Sequence, residues 1–252
     1  MTPFEAQQRA LNDLEERSGK PVVLQEDTRL PNLARIQIAT VARPVHVLSY
    51  SPKAAPELPY LVCFQCEIAK RAVLAAPDER FNVASTDATY RQVEKLVRDQ
   101  KAIPDTMVAT YSQMITDGLG TQLRSMPIGI RVDRTLYRDH PELRGMQRSA
   151  AERSMKDNVG CLHPSIRAQA PDLFIRATAG MNAAFASAWS KLWNEEDHSV
   201  PYRLAGFIEQ GEELLAALDA IPDSPTYDRE LVSKWATLLG IDRLYQVGPV
   251  GL

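Results

Sequence analysis

The stretch Pro59–Ala76, PYLVCFQCEIAKRAVLAA, decides how the chain is read. At helical spacing, Leu61, Phe64, Ile68, Ala72 and Ala75 form one apolar face. Val62, Cys66, Ala69 and Val73 form a second, and a helix apolar on two faces is buried between layers. Tyr60, Cys63, Glu67, Arg71 and Leu74 occupy the remaining line. Pro56 and Pro59 bracket its start, Glu57 suits its positive N-terminal end, and Pro77-Asp78-Glu79-Arg80 ends it. Glu67 is the one carboxylate inside. It is either a structural ion-pair partner of Lys70 and Arg71, at i+3 and i+4, or a catalytic base.

Outward from this helix, residues 4–17 read as an amphipathic helix stopped by Ser18-Gly19. Residues 21–27 read as a short strand, 34–38 as a second with alternating Ala34, Ile36 and Ile38, and 45–50 as a third after a break at Arg43-Pro44. Downstream, helices are expected over 86–101, 104–125 (weakened at Gly118–Gly120), 171–193, 204–219 and 228–239. Residues from 126 start extended and turn helical, with a fresh helix at Pro141. Residues 160–164 read as a loop, 195–203 as a polar connection, and the tail as a short strand or an arm. The expected fold is α+β and predominantly helical: a small N-terminal sheet packed on the central helix, then a helical C-terminal half. Residues 1–252 are read as a single domain, with sub-parts 1–125 and 126–252.

Composition narrows the function. The chain has 252 residues, is 44% hydrophobic and carries a net charge of −3, which permits a sizeable core and gives no basic footprint for nucleic acid. No apolar run reaches membrane-spanning length, and the N-terminus lacks the basic start and apolar centre of a signal peptide. Three cysteines make no framework of bridges, so a cytoplasmic location is expected.

Several chemistries are unsupported. There is no G-x-S-x-G, no G-x-x-x-x-G-K-[ST] and no G-x-G-x-x-G. Of the histidines, His46, His140, His163 and His198, no two share a metal-ligand spacing. Cys63, Cys66, Cys161 and His163 have the ligand types of a Cys₃His zinc site, but Cys63 and Cys66 lie inside a helix, where small core side chains are expected. The charged run over 131–144, with Arg131 and Asp133 at its head, reads as a polar groove or as a solvated helix face, the second being expected. Trp189, Trp193 and Trp235 are expected in the core.

The helix–strands–helix layout and the proline-flanked helix resemble, over roughly residues 5–150, the compact zinc metallopeptidases of the ImmA/IrrE type. There a helix carries H-E-x-x-H, with two histidines for zinc and a glutamate as general base. The corresponding string here is Cys66-Glu67-Ile68-Ala69-Lys70. Glu67 falls at the base position, but a lysine ammonium has no lone pair for a metal. The resemblance therefore implies a metallopeptidase-like scaffold without zinc or other cofactor, whose cleft (Cys66, Glu67, Lys70, Arg131, Asp133) binds a peptide, protein or small ligand. The alternatives are a helical interaction or regulatory protein of no enzymatic ancestry, and a zinc hydrolase using Cys66, Glu67 and His163 or Asp133. Neither nucleic acid nor membrane is an expected partner. Whether the 66–70 turn lies open or covered separates the first two readings.

Overall fold

Thr2 starts the structure by capping the first helix. Its hydroxyl accepts from the Glu5 amide (3.2 Å), and its own amide donates to the Glu5 carboxylate (2.7 Å). Gly19, at φ 64°, ends that helix in the left-handed region. A computed structural model describes residues 1–195 and 198–249. The N-terminal half comprises α1 (Pro3–Ser18), β1 (Val22–Glu26), β2 (Ala34–Gln37), β3 (His46–Tyr50), α2 (Leu58–Leu74), β4 (Phe81–Ala84) and α3 (Asp87–Gln100). Then follow α4 (Val108–Asp139), α5 (Arg144–Asn158), α6 (Pro164–Gln169), α7 (Asp172–Trp193), α8 (Val200–Leu204), α9 (Ile208–Ala220), α10 (Asp228–Leu238) and β5 (Gln246–Pro249). The fold is α+β and mostly helical, with a small sheet near the N-terminus and a helical C-terminal half.

The sheet order is β1-β3-β2, with β1 parallel and β2 antiparallel to the central, buried β3. Helix α2 is fastened to the edge strand by Gln65. Its side-chain oxygen accepts from the Ile36 amide (3.1 Å), and its amide donates to the Ala34 carbonyl (3.4 Å). Polar groups of an edge strand are thereby paired within the molecule rather than left for another chain. Helix α1 lies along α2, and Ala6, Ala10, Leu11 and Leu14 share one core with Leu48, Val62, Cys66 and Ala69. Small side chains on both helices allow the close approach.

Four features differ from the expectations, one being that Val200–Leu204, read mostly as part of a polar connection, forms the short helix α8. Residues 104–125 and 126–139 are not separated: α4 runs unbroken for 32 residues through Gly118, Gly120 and Pro127. A proline costs an interior helix a hydrogen bond. Tertiary packing outweighs that here, because Pro127 is buried between half-buried Met126 and Ile128, and Gly120 and Gly129 serve contact. A Cβ on Gly120 would stand 2.8 Å from the Tyr245 ring, and one on Gly129 3.3 Å from Phe64. The boundary between 125 and 126 thus falls inside a helix. That helix contributes Leu119, Leu123 and Ile130 to the C-terminal core and Val132 and Leu136 to the N-terminal one. Residues 160–164 also differ, forming a short 3-10 turn and the start of α6 rather than a loop. Finally, Phe81–Ala84, unrecognised as a strand, pairs antiparallel with the tail strand β5.

Candidate functional site

The 66–70 turn is covered. Cys66 is fully buried under α1, and Cys63 is nearly so. Lys70 bonds Asp13 of α1 at 2.5 Å and also Glu67, and Arg17 bonds Asp13 at 2.7 Å. Burial disfavours charge on Lys70, but its bonds to Asp13 and Glu67 outweigh that and raise its pKa above the ordinary lysine value. Glu67 therefore sits in an ion-pair cluster between two helices, with Lys70 as the partner the spacing foresaw. Arg71 turns elsewhere. It forks onto Asp228 with two bonds of 2.7 Å and reaches Asp223 at 2.8 Å.

Arg131 and Asp133 do not lie on the solvated helix face that was expected; both are buried. Arg131 joins the Arg71–Asp228 pair at 3.4 Å, and its other amino group donates to the carbonyls of Leu218 (3.3 Å) and Ile221 (2.6 Å), satisfying the C-terminal end of α9. Such a buried network of charges is expensive to break, about 3–5 kcal/mol when one partner is removed. Asp133 accepts from Tyr60 (2.8 Å) and Gln147 (3.1 Å). Burial nevertheless dominates and pushes its pKa up to about 7. Arg138, Asp139 and Arg144 remain exposed, as expected of the rest of that run.

The four zinc-site candidates do not converge. Cys63 and Cys66 belong to the core under α1, while Cys161 packs against the core around Trp189 and Tyr202. His163 caps α6, accepting from the Ser165 amide at 3.3 Å. Among the described residues no group of three histidine, cysteine or acidic side chains could hold a metal. Burial pushes the Cys63 thiol up to about 12 and the Cys66 thiol higher still, so neither is a ready thiolate. Trp235 and Trp189 are core residues, as expected, whereas Trp193 is half-buried beneath the guanidinium of Arg148 (4.8 Å).

A concave feature lies elsewhere, between the middle of α4, the end of α5 and the middle of α7, with Asn32 of the β1–β2 connection also in its lining. It has a volume of about 470 Å³. Thr121, Gln122, Ser125, Asn158, Thr178 and Asn182 supply uncharged donors and acceptors; Asp157 is the one charged residue in the lining. Asn182 is the anchor. It sits in an otherwise apolar stretch of α7 and is only 2% exposed. Its oxygen accepts from the Gln122 amide (2.7 Å), and its amide donates to the Asn158 carbonyl (3.2 Å) and the Cys161 sulfur (3.5 Å). A buried amide is costly unless bonded, and every bond of this one goes to a wall of the groove. Thr121 is exposed and Thr178 half-buried on the same groove. A second hollow of about 400 Å³, beside Gln100, Arg167 and Asp172, has its glutamine already committed to the Ala170 carbonyl.

Sequence reasoning missed this groove. Its one legible signal is Asn182 within ATAGMNAAFASA, a polar residue where the helical pattern demands an apolar one. Comparison with protein families, with curated proteins and with solved structures finds no match to this chain. No helix among the described residues is long and apolar enough to cross a membrane.

Proposed function

We propose that the protein is a non-catalytic binding protein that holds a small, uncharged, hydrogen-bonding ligand in the groove between α4, α5 and α7. The observation that carries this reading is Asn182, a buried amide whose partners fix the groove's floor. Neutral donors and acceptors fixed by packing suit a ligand bearing hydroxyl or amide groups, and specificity follows because a ligand lacking them leaves such groups unpaired. With no cation in the lining, phosphates and carboxylates gain nothing there.

The covered 66–70 turn supports the interaction or regulatory reading over a peptide cleft at Glu67. An ImmA/IrrE-like ancestry rests on the layout of α1, the three strands and α2, and on that alone. On either ancestry Glu67 acts as an ion-pair partner.

Cys161 provides the test, because it lines the groove while Cys63 and Cys66 are buried. A panel of neutral polyols, amides and nucleosides, with phosphates and carboxylates as anionic counterparts, is screened for protection of Cys161 from alkylation. The expected result is a neutral compound that slows labelling saturably, and a loss of that protection in Asn182→Leu measured under conditions where the variant is folded. Protection only by anionic compounds, or by none of the panel, overturns the reading.

A further inference from the structure

The 38–45 segment between β2 and β3 is folded largely on itself. Thr40 and Arg43 exchange backbone bonds, the Thr40 amide to the Arg43 carbonyl (2.8 Å) and the Arg43 amide to the Thr40 carbonyl (3.2 Å). The Arg43 guanidinium donates back to the Gln37 side chain (3.1 Å) and the Ile38 carbonyl (2.8 Å). Val41, at the tip, is 93% exposed. The segment is tied to the central strand by one further bond: the Ala39 amide donates to Nδ1 of His46, the first residue of β3 (3.1 Å).

That bond fixes the state of the ring. An amide N–H only donates, so Nδ1 must present its lone pair, and the neutral ring carries its proton on Nε2. His46 is 1% exposed, and its Nε2 has no partner among the described residues. A second proton has one place to go, Nδ1, where it would meet the Ala39 N–H head on. The charged groups that face the ring are Arg43 from the loop and Glu15 from α1. Arg43 repels a charged ring. Glu15 attracts it, but one of its oxygens is already engaged by the Val22 amide at 2.7 Å. Burial first, and Arg43 second, hold the ring's proton affinity below the ordinary histidine value.

We infer that His46 latches the 38–45 loop to the sheet and that a proton on its ring undoes the latch. Once charged, the ring must leave its buried place or Ala39 must lift away; either movement frees the loop while the β1–β3 pairing persists. The device is a pH-sensitive surface at the β2 side of the sheet.

The test is amide hydrogen exchange of the full chain, read residue by residue at pH 7.5 and pH 5 and corrected for intrinsic exchange rates. In the wild type, protection at Ala39 and its loop neighbours is expected to fall about tenfold for each pH unit below the ring's titration, while β1 and β3 keep theirs. In His46→Asn the side-chain oxygen takes the place of Nδ1 as acceptor and cannot be charged, so protection is expected to be the same at both pH values. Unchanged loop protection in the wild type overturns the inference, as does an equal loss in the variant. Should the variant fail to fold, ring nitrogen shifts of the wild type decide. A ring protonated on Nδ1 at pH 7.5 contradicts the latch, and one bare on Nδ1 that charges as the loop opens supports it.

Discussion

Asp133 makes its prediction at the scale of a single proton. Burial raises its pKa to about 7 against an ordinary value of 3.8, despite the bonds from Tyr60 and Gln147. Between those two values the folded chain holds a proton that the unfolded chain has lost. Stability contributed by this residue is therefore full at low pH and declines as pH rises towards 7, by on the order of a few kcal/mol. Asp133→Asn imitates the protonated carboxyl. Chemical denaturation is expected to find the variant close to wild type near pH 4 and more stable than wild type at pH 8; a variant weaker at pH 8 would mean the ionised carboxylate is the favoured form. His46 slopes the other way. Its lowered affinity for a proton means stability is full above the ordinary histidine value near 6.5 and falls on acidification. Between about 3.8 and 6.5 the two buried groups pull stability in opposite directions as pH changes.

At the scale of elements, helix crossings set the tolerances. Helices α7 and α9 meet at Gly211, where a Cβ would lie 2.7 Å from the Ala183 Cβ and 2.8 Å from the Ala184 backbone nitrogen. At Gly180 the nearest obstacle, at 2.5 Å, is the far end of the flexible Gln210 side chain. Gly211→Ala must push two backbones apart and is expected to cost about 1–3 kcal/mol or more in a denaturant titration. Gly180→Ala, which also gains helix propensity, is expected to lie near wild type. Equal costs would show that backbone contact does not govern the crossing. The same contacts explain what could be read from the sequence. The first helix, the three strands and the Pro59 helix were legible because capping, alternation and two-faced apolarity act within a few residues. The continuity of α4 was not, because Gly120 and Gly129 are placed for the distant Tyr245 and Phe64 rather than for helix propensity. Nor was Phe81–Ala84, whose partner strand lies at the far end of the chain.

At the scale of the whole molecule, the central helix is a structural axis rather than the floor of an open cleft. One face carries α1, and Arg71 on another joins the Asp228 network that holds α4, α9 and α10 together. Glu67 was legible as an ion-pair candidate because its partner Lys70 lies one turn away. Asp13, which completes the cluster from α1, was not. The groove was opaque for a related reason. Thr121, Asn158 and Thr178 belong to no motif in the sequence, and only the packing of three helices gives them a common concavity around Asn182. The most direct measurement is chemical-shift mapping of the isotope-labelled chain against the panel of neutral polyols, amides and nucleosides. The account predicts shifts centred on Gln122, Asn158, Thr178 and Asn182, with the side-chain amides of Gln122 and Asn182 among the largest. Shifts centred instead on Asp13 and the 66–70 turn would place the binding site at the central helix and contradict it.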